Sequence, residues 1–260
     1  MSVTRSIRIA YRRSRESLKS KFRRMLEVIR EPGDTIHPFK YYAQQLERKL
    51  IDKAVSDDAL WCIEGYEVIA QALLNTKIEG LYLEFGVNKG GSTRFIAQRL
   101  KPGATLHGFD SFEGLPDGDG EWHDFYVKNK LDRKGNPPEV PENVKLHHGW
   151  FKQTLPAFLT QNSGPVAFMN VDCDVYSSTH TIFTCLADRI VPGTVIEFDE
   201  LFNYRGWVFE EYRAFHEYLR LHDADYRILA LGASSRSSAP RFGNYGKMAV
   251  VITRVGKAAS

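Results

Sequence analysis

Hydrophobic and polar positions alternate along this chain in two distinct rhythms. Short apolar runs that end in Gly, Asp or Pro are followed by longer stretches with helical period. Leu81, Leu83 and Phe85 close a first buried strand, and a helix starts near Ser92 and runs to about Leu100. Thr105 to Asp110 reads as a second strand and Val144 to His148 as a third, followed by a helix opening at Trp150. Pro165 to Asp172 is a fourth, after which Ser177 or Ser178 caps a helix reaching Ile190. Thr194 to Phe198 is a fifth strand ending in Asp199-Glu200; a helix covers about Trp207 to His222, and Tyr226 to Leu231 and Met248 to Arg254 are the last strands. The pattern predicts an α/β, doubly wound, mainly parallel seven-stranded sheet of Rossmann-like form over residues 80–260. In the order 3-2-1-4-5 the ligand crevice lies where the strand order reverses, between strands 1 and 4.

Ahead of this domain, Tyr41, Leu46, Leu50, Ile51 and Val55 mark one helix and Leu60, Ile63, Val68, Ala70 and Leu73 another. Residues 36–79 are therefore expected to form a helical cap or lid. Residues 1–35 form a basic amphipathic extension, in which residues 1–30 hold ten Lys or Arg against Glu16 and Glu27. With a net charge of +3 for the whole chain, the remainder is mildly acidic, and no nucleic-acid partner is expected. Ile7, Tyr11, Leu18, Phe22, Met25 and Ile29 draw an apolar stripe on that extension, suited to an anionic membrane surface, a partner helix or the chain's own domain. Residues 113–141, with Trp122, His123, Phe125, Tyr126 and Lys128, are long enough for a functional lid, and residues 233–246 form a loop. Cys62, Cys173 and Cys185 are odd in number and lack metal-type spacing, which favours a reducing, cytoplasmic setting.

The chemistry concentrates at strand ends. Glu84-Phe85-Gly86-Val87-Asn88-Lys89-Gly90-Gly91-Ser92 turns tightly beside a ligand, with a spacing unlike the Gly-x-Gly-x-x-Gly cradle of a dinucleotide, so a ligand without phosphate is expected. Asp110 ends the second strand, where a carboxylate can accept hydrogen bonds from both ribose hydroxyls. Asp172, Asp199 and Glu200 end adjacent buried strands, an arrangement that calls for a cation, with Mg²⁺ favoured and Mn²⁺ or Ca²⁺ as alternatives.

These stretches, with Asp110-Ser111-Phe112-Glu113-Gly114-Leu115-Pro116, Gly149-Trp150-Phe151-Lys152-Gln153-Thr154-Leu155-Pro156, Asp172-Cys173-Asp174-Val175-Tyr176-Ser177-Ser178-Thr179 and Asp199-Glu200, resemble the macrocin O-methyltransferase family. That family is a branch of the class I S-adenosylmethionine-dependent methyltransferases. The resemblance covers roughly Gly80 to Leu219 and implies methylation of hydroxyls of sugars on natural products. By position it implies that Glu84, Gly86 and Asp110 bind S-adenosyl-L-methionine; Gly90, Ser92, Ser111 and Phe112 in the same loops are further candidates, and Trp150 is a candidate either to stack on adenine or to pack the following helix. It assigns Mg²⁺ to Asp172, Asp199 and Glu200, although the family usually has Asp-Asp at the last pair.

Asp172 is the first choice for the base that deprotonates the acceptor hydroxyl, with Asp174 second. His123 and His180 are candidate acceptor contacts. The expected partners are a small-molecule hydroxyl acceptor and a second copy of the chain. Two other readings stay open: a related α/β enzyme with hydroxylase or nicotinamide chemistry, and a non-catalytic cofactor-binding scaffold.

Overall fold

The computed structural model describes residues 38–62, 66–116, 131–204, 206–234 and 245–256. The basic extension and the aromatic part of the 113–141 segment, including His123, lie outside them. The chain divides into two compact units, Met1–Leu50 and Ile51–Ser260. The described part of the first is the beginning of helix α1 (Pro38–Ser56). Among the described residues no helix is long and apolar enough to cross a membrane.

The second unit is built on an eight-stranded sheet of order β1-β7-β8-β6-β5-β2-β3-β4. Its strands are β1 (Leu60–Trp61), β2 (Leu81–Phe85), β3 (Leu106–Asp110), β4 (Val144–His148), β5 (Val166–Val171), β6 (Val195–Phe202), β7 (Asp225–Ser234) and β8 (Tyr245–Arg254). Only β8 runs antiparallel to its neighbours. The run β4-β3-β2-β5-β6 is the expected 3-2-1-4-5 order, with the switch point between β2 and β5. Strand β5 is buried at every position, as its unbroken apolar sequence demands of a central parallel strand.

Two neighbouring rows of the sheet point in opposite directions and have opposite character. One row, Phe109–Phe85–Val171–Phe198–Met248, is apolar throughout. It packs against Phe151 and Phe158 of α4 (Phe151–Gln161), Phe183 of α5 (Tyr176–Leu186) and Phe215 of α6 (Glu211–Leu221), at ring separations of 4.9–6.4 Å. The preceding row, Gly108–Glu84–Asn170–Glu197–Ala249, must face the other way because strand side chains alternate. That face is covered by α2 (Glu67–Asn75) and α3 (Gly91–Ala97), whose Val68, Ile69, Ala72, Ile96 and Ala97 join Ala167, Ala230 and Ala249 in one apolar cluster. Three polar side chains are thus embedded in the centre of a hydrophobic sheet.

The structure departs from the sequence expectation in several places. Leu60–Trp61, read as helical, forms an extra edge strand parallel to β7, and Asp58, at φ 60°, breaks α1 just before it. A two-residue strand has no periodicity to betray it. Ser177 and Ser178 lie inside the first turn of α5 instead of capping it; the exposed helix amide of Tyr176 is taken by Glu210 Oε2 at 2.7 Å. Strand β6 does not stop at Phe198 but continues through Asp199 and Glu200 to Phe202, with an irregular register opposite β8.

Candidate functional site

The polar row is the floor of the site. Glu84, Asn170 and Glu197 are each fully buried, and the Asn170 amide Nδ2 donates to Glu84 Oε1 at 3.4 Å. Burial lifts the Glu84 carboxyl to about 7, reinforced by the Asp172 charge and opposed by hydrogen bonding from Ser92, Thr93 and Asn170. Burial lifts Glu197 to about 8, with Lys247 pulling it down and Asp172 and Glu84 pushing it up. Among the described residues neither Glu197 carboxylate oxygen accepts a hydrogen bond. Sequence reasoning missed Glu197, although a carboxylate in the middle of Val195-Ile196-Glu197-Phe198 is itself a signal.

Above this floor the glycine turn approaches β5 closely. Gly86 holds φ 93°, and a Cβ there would fall 1.8 Å from the Asp172 carbonyl oxygen. Gly90, at φ 73°, precedes α3, and a Cβ on Gly91 would meet the Tyr66 hydroxyl at 2.8 Å. Tyr66 is a second residue missed from sequence. Its ring packs on Phe95 at 4.7 Å, and burial together with the Asp172 and Glu84 charges raises its phenol. Ser92 stands in the first turn of α3, beside Glu84.

Asp110 ends β3 and holds this turn in shape. Its Oδ2 accepts from the Val87 and Asn88 amides, both at 2.8 Å, and its Oδ1 from the Phe112 amide at 2.7 Å. Two loops are therefore tied to one carboxylate, with at most one of its four lone-pair sites spare. Ser111 Oγ accepts from the Glu113 amide at 3.1 Å and donates to the Gly114 carbonyl at 3.3 Å, a self-contained turn. Phe112, buried at φ 56°, meets His148 edge-on, and its carbonyl accepts from the Arg133 and Gly135 amides. Half-buried Trp150 follows β4 at the start of α4, next to Gly149, whose amide donates to the Asp110 carbonyl at 2.9 Å. His180 is exposed and packs on Tyr176.

The three carboxylates expected to share a metal are Asp172, Asp199 and Glu200. Asp199 and Glu200 are consecutive and buried within β6, in the stretch where its register opposite β8 shifts. Asp199 is in a buried ion pair with Lys247 of β8. Glu200 is buried, and its charge, with those of Glu211, Glu210 and Asp174, adds to burial in raising the Tyr204 phenol. Among the described residues no group of three or more His, Cys, Asp or Glu is arranged to hold a metal ion. The assignment of Mg²⁺ to Asp172, Asp199 and Glu200 therefore does not fit this structure.

Glu211 is fully buried, and burial, then the Asp174, Asp172 and Glu197 charges, raises its carboxyl well above the usual range. Glu211 Oε1 accepts from the Cys173 amide at 3.4 Å. Asp174, at φ 65°, is buried, and its charge acts on Glu211 and Tyr204.

Residues 83–201 match the family model of a methyltransferase domain. The Streptomyces olivaceus 8-demethyl-8-(2,3-dimethoxy-alpha-L-rhamnosyl)-tetracenomycin-C 4'-O-methyltransferase is 28% identical over 157 residues, covering 53% of this chain and 59% of that protein. The Streptomyces niveus demethyldecarbamoylnovobiocin O-methyltransferase is 25% identical over 157 residues, with the same 53% and 59% coverage. The chain thus spans about three fifths of the length of these curated relatives. The solved structure of the O-methyltransferase NovP has a TM-score of 0.51 at 23% identity, covering 72% of this chain and 77% of that chain, a likeness of fold.

Proposed function

We propose that this chain is an S-adenosylmethionine-dependent O-methyltransferase that acts on a hydroxyl of a small molecule, a sugar or a glycosylated natural product. The observation that carries the reading is the glycine turn at the switch point. At Gly86 the backbone lies against the Asp172 carbonyl with no room for a side chain, Asp110 fixes the surrounding amides, and Glu84 and Glu197 place buried carboxyls beneath. A buried acidic floor that accepts fewer hydrogen bonds than it can is suited to a cationic ligand. The methyltransferase-domain match spans this turn, and both relatives named above are O-methyltransferases of small molecules.

The cofactor, when bound, supplies a methyl group on a cationic sulfonium, an electrophile that needs alignment more than activation. The protein's share is binding and proton management. Glu84, Asn170 and the Gly86 turn receive the cofactor's amino-acid end. Asp110 and the Ser111–Phe112 turn shape the ribose side, with Trp150 flanking the base. Asp172, half-buried at the end of β5, is the group we assign as base for the acceptor hydroxyl. No step is routed through a metal, because Asp199 is committed to Lys247 and no group of described residues is arranged to hold one.

Calorimetric titration with S-adenosylhomocysteine tests the reading, and a radiolabelled-methyl screen against glycosylated small molecules tests the acceptor class. Saturable binding that Asp110→Ala weakens is the expected result. A folded protein that binds no S-adenosylhomocysteine would remove the reading.

A further inference from the structure

Lys247 lies in an apolar strand, Met248-Ala249-Val250-Val251-Ile252, outside the segment that matches the methyltransferase domain. A lysine at the start of a strand is ordinarily solvated. This one is 4% exposed, and lysine is almost never buried so deeply unless a counter-charge holds it. Register explains how it gets there. Glu197 pairs with Ala249, and Lys247, two residues before Ala249 on β8, leaves the same face; the ion pair brings Asp199 to it across a stretch where β6 shifts register. The ammonium donates to Asp199 Oδ1, and its charge also acts on Glu197. The site thus contains an internal cation among the carboxylates of Glu84, Asp172, Glu197 and Asp199.

We propose that Lys247 is the resident cation of this site and stands in place of the divalent metal that the strand-end acids would otherwise require. Three physical points support it. The ammonium occupies the Asp199 oxygen that a metal would need. A fixed positive charge in a poorly screened interior repels a second, divalent one. Among the described residues no group of three or more His, Cys, Asp or Glu is arranged to hold a metal ion. Methyl transfer from a sulfonium needs no Lewis acid, so chemistry of the proposed kind survives the exchange. Lys247 is then a positioning residue: it pairs with Asp199 and holds β8 against β6 at the ligand end of the sheet.

The proposal rests on the methyltransferase reading only for what the site does, and its test is separate. Mn²⁺ is titrated into the full-length, chelator-treated protein and the free ion followed by electron paramagnetic resonance. Protein oxygen sites for hard cations reach dissociation constants as weak as about 1 mM, so the titration extends to that concentration. The wild-type protein is expected to show no saturable Mn²⁺ binding, and Lys247→Arg, which keeps the cation, should behave alike. Lys247→Met should gain binding at least tenfold tighter than wild type, and adding Asp199→Asn should abolish the gain. Should Lys247→Met fail to fold, the wild-type and Lys247→Arg titrations decide alone. Saturable wild-type binding that Asp199→Asn abolishes would overturn the proposal. Failure of S-adenosylhomocysteine to bind would instead strike the methyltransferase reading and leave the Mn²⁺ result standing.

Discussion

Gly86 and the carbonyl of Asp172 stand back to back at the switch point, so close that a methyl group on Gly86 would overlap that oxygen at 1.8 Å. The backbone bonds beside them, Gly86 amide to Phe109 carbonyl at 3.0 Å and Asp172 amide to Phe85 carbonyl at 2.9 Å, leave neither loop free to retreat. Two functions meet in this contact: the turn that shapes the cofactor crevice and the residue assigned as base.

Gly86→Ala should therefore be costly twice over. A left-handed, non-glycine backbone costs roughly 1–2 kcal/mol, and the clash must push the loops after β2 and β5 apart. The expected outcome is a lowered melting temperature and at least about tenfold weaker S-adenosylhomocysteine binding, for about 1.4 kcal/mol. Wild-type affinity in this variant would show that the turn does not form the crevice.

Asp110→Ala removes acceptors from the Val87, Asn88 and Phe112 amides as well as any contact to a ligand. Hydrogen exchange at those three amides should speed up even without ligand, and S-adenosylhomocysteine binding should weaken by roughly 1–3 kcal/mol. Unchanged exchange with weakened binding would make Asp110 a ligand contact only.

How much of this was legible from the chain varies by residue, for physical reasons. Glu84, Gly86 and Asp110 announce themselves because a glycine turn or an acid at the end of an apolar run is a local signal. The same logic misplaced Asp199-Glu200. It assumes that a strand ends at its first acid, whereas β6 continues through both because Asp199 finds a cation on β8, 48 positions away. Such a pairing leaves no trace in local spacing, and neither does the approach of Tyr66 to Gly91. Glu197 was visible as an isolated charge in an apolar strand, but only the register with Glu84 and Asn170 shows that it belongs to a row.

Burial raises the Glu84 carboxyl from 4.5 to about 7. Because the folded value lies above the unfolded one, the folded state binds the extra proton between those limits. Glu84 therefore contributes stability that is fully present below pH 4.5 and is lost as pH rises through about 7. Glu84→Gln, which cannot titrate, should flatten the dependence of urea-unfolding stability on pH across that interval. Parallel wild-type and variant curves would contradict the raised value.

The basic extension makes a separate prediction. With ten Lys or Arg against two Glu in residues 1–30, the intact chain should co-sediment with anionic vesicles at low salt and be released at high salt. Each basic residue near such a surface is worth about 1 kcal/mol, screened within a Debye length. Deleting residues 1–30 should abolish co-sedimentation and leave S-adenosylhomocysteine binding intact. Lost cofactor binding in the truncated chain would make the extension part of the catalytic unit.

The most direct measurement is calorimetric titration of S-adenosylhomocysteine into the full-length protein in excess chelator. Saturable, single-site binding without added metal, weakened by both Gly86→Ala and Asp110→Ala, is the predicted result. Absence of binding by a protein whose fold is intact, or binding indifferent to both substitutions, would contradict a cofactor site at the Gly86 turn.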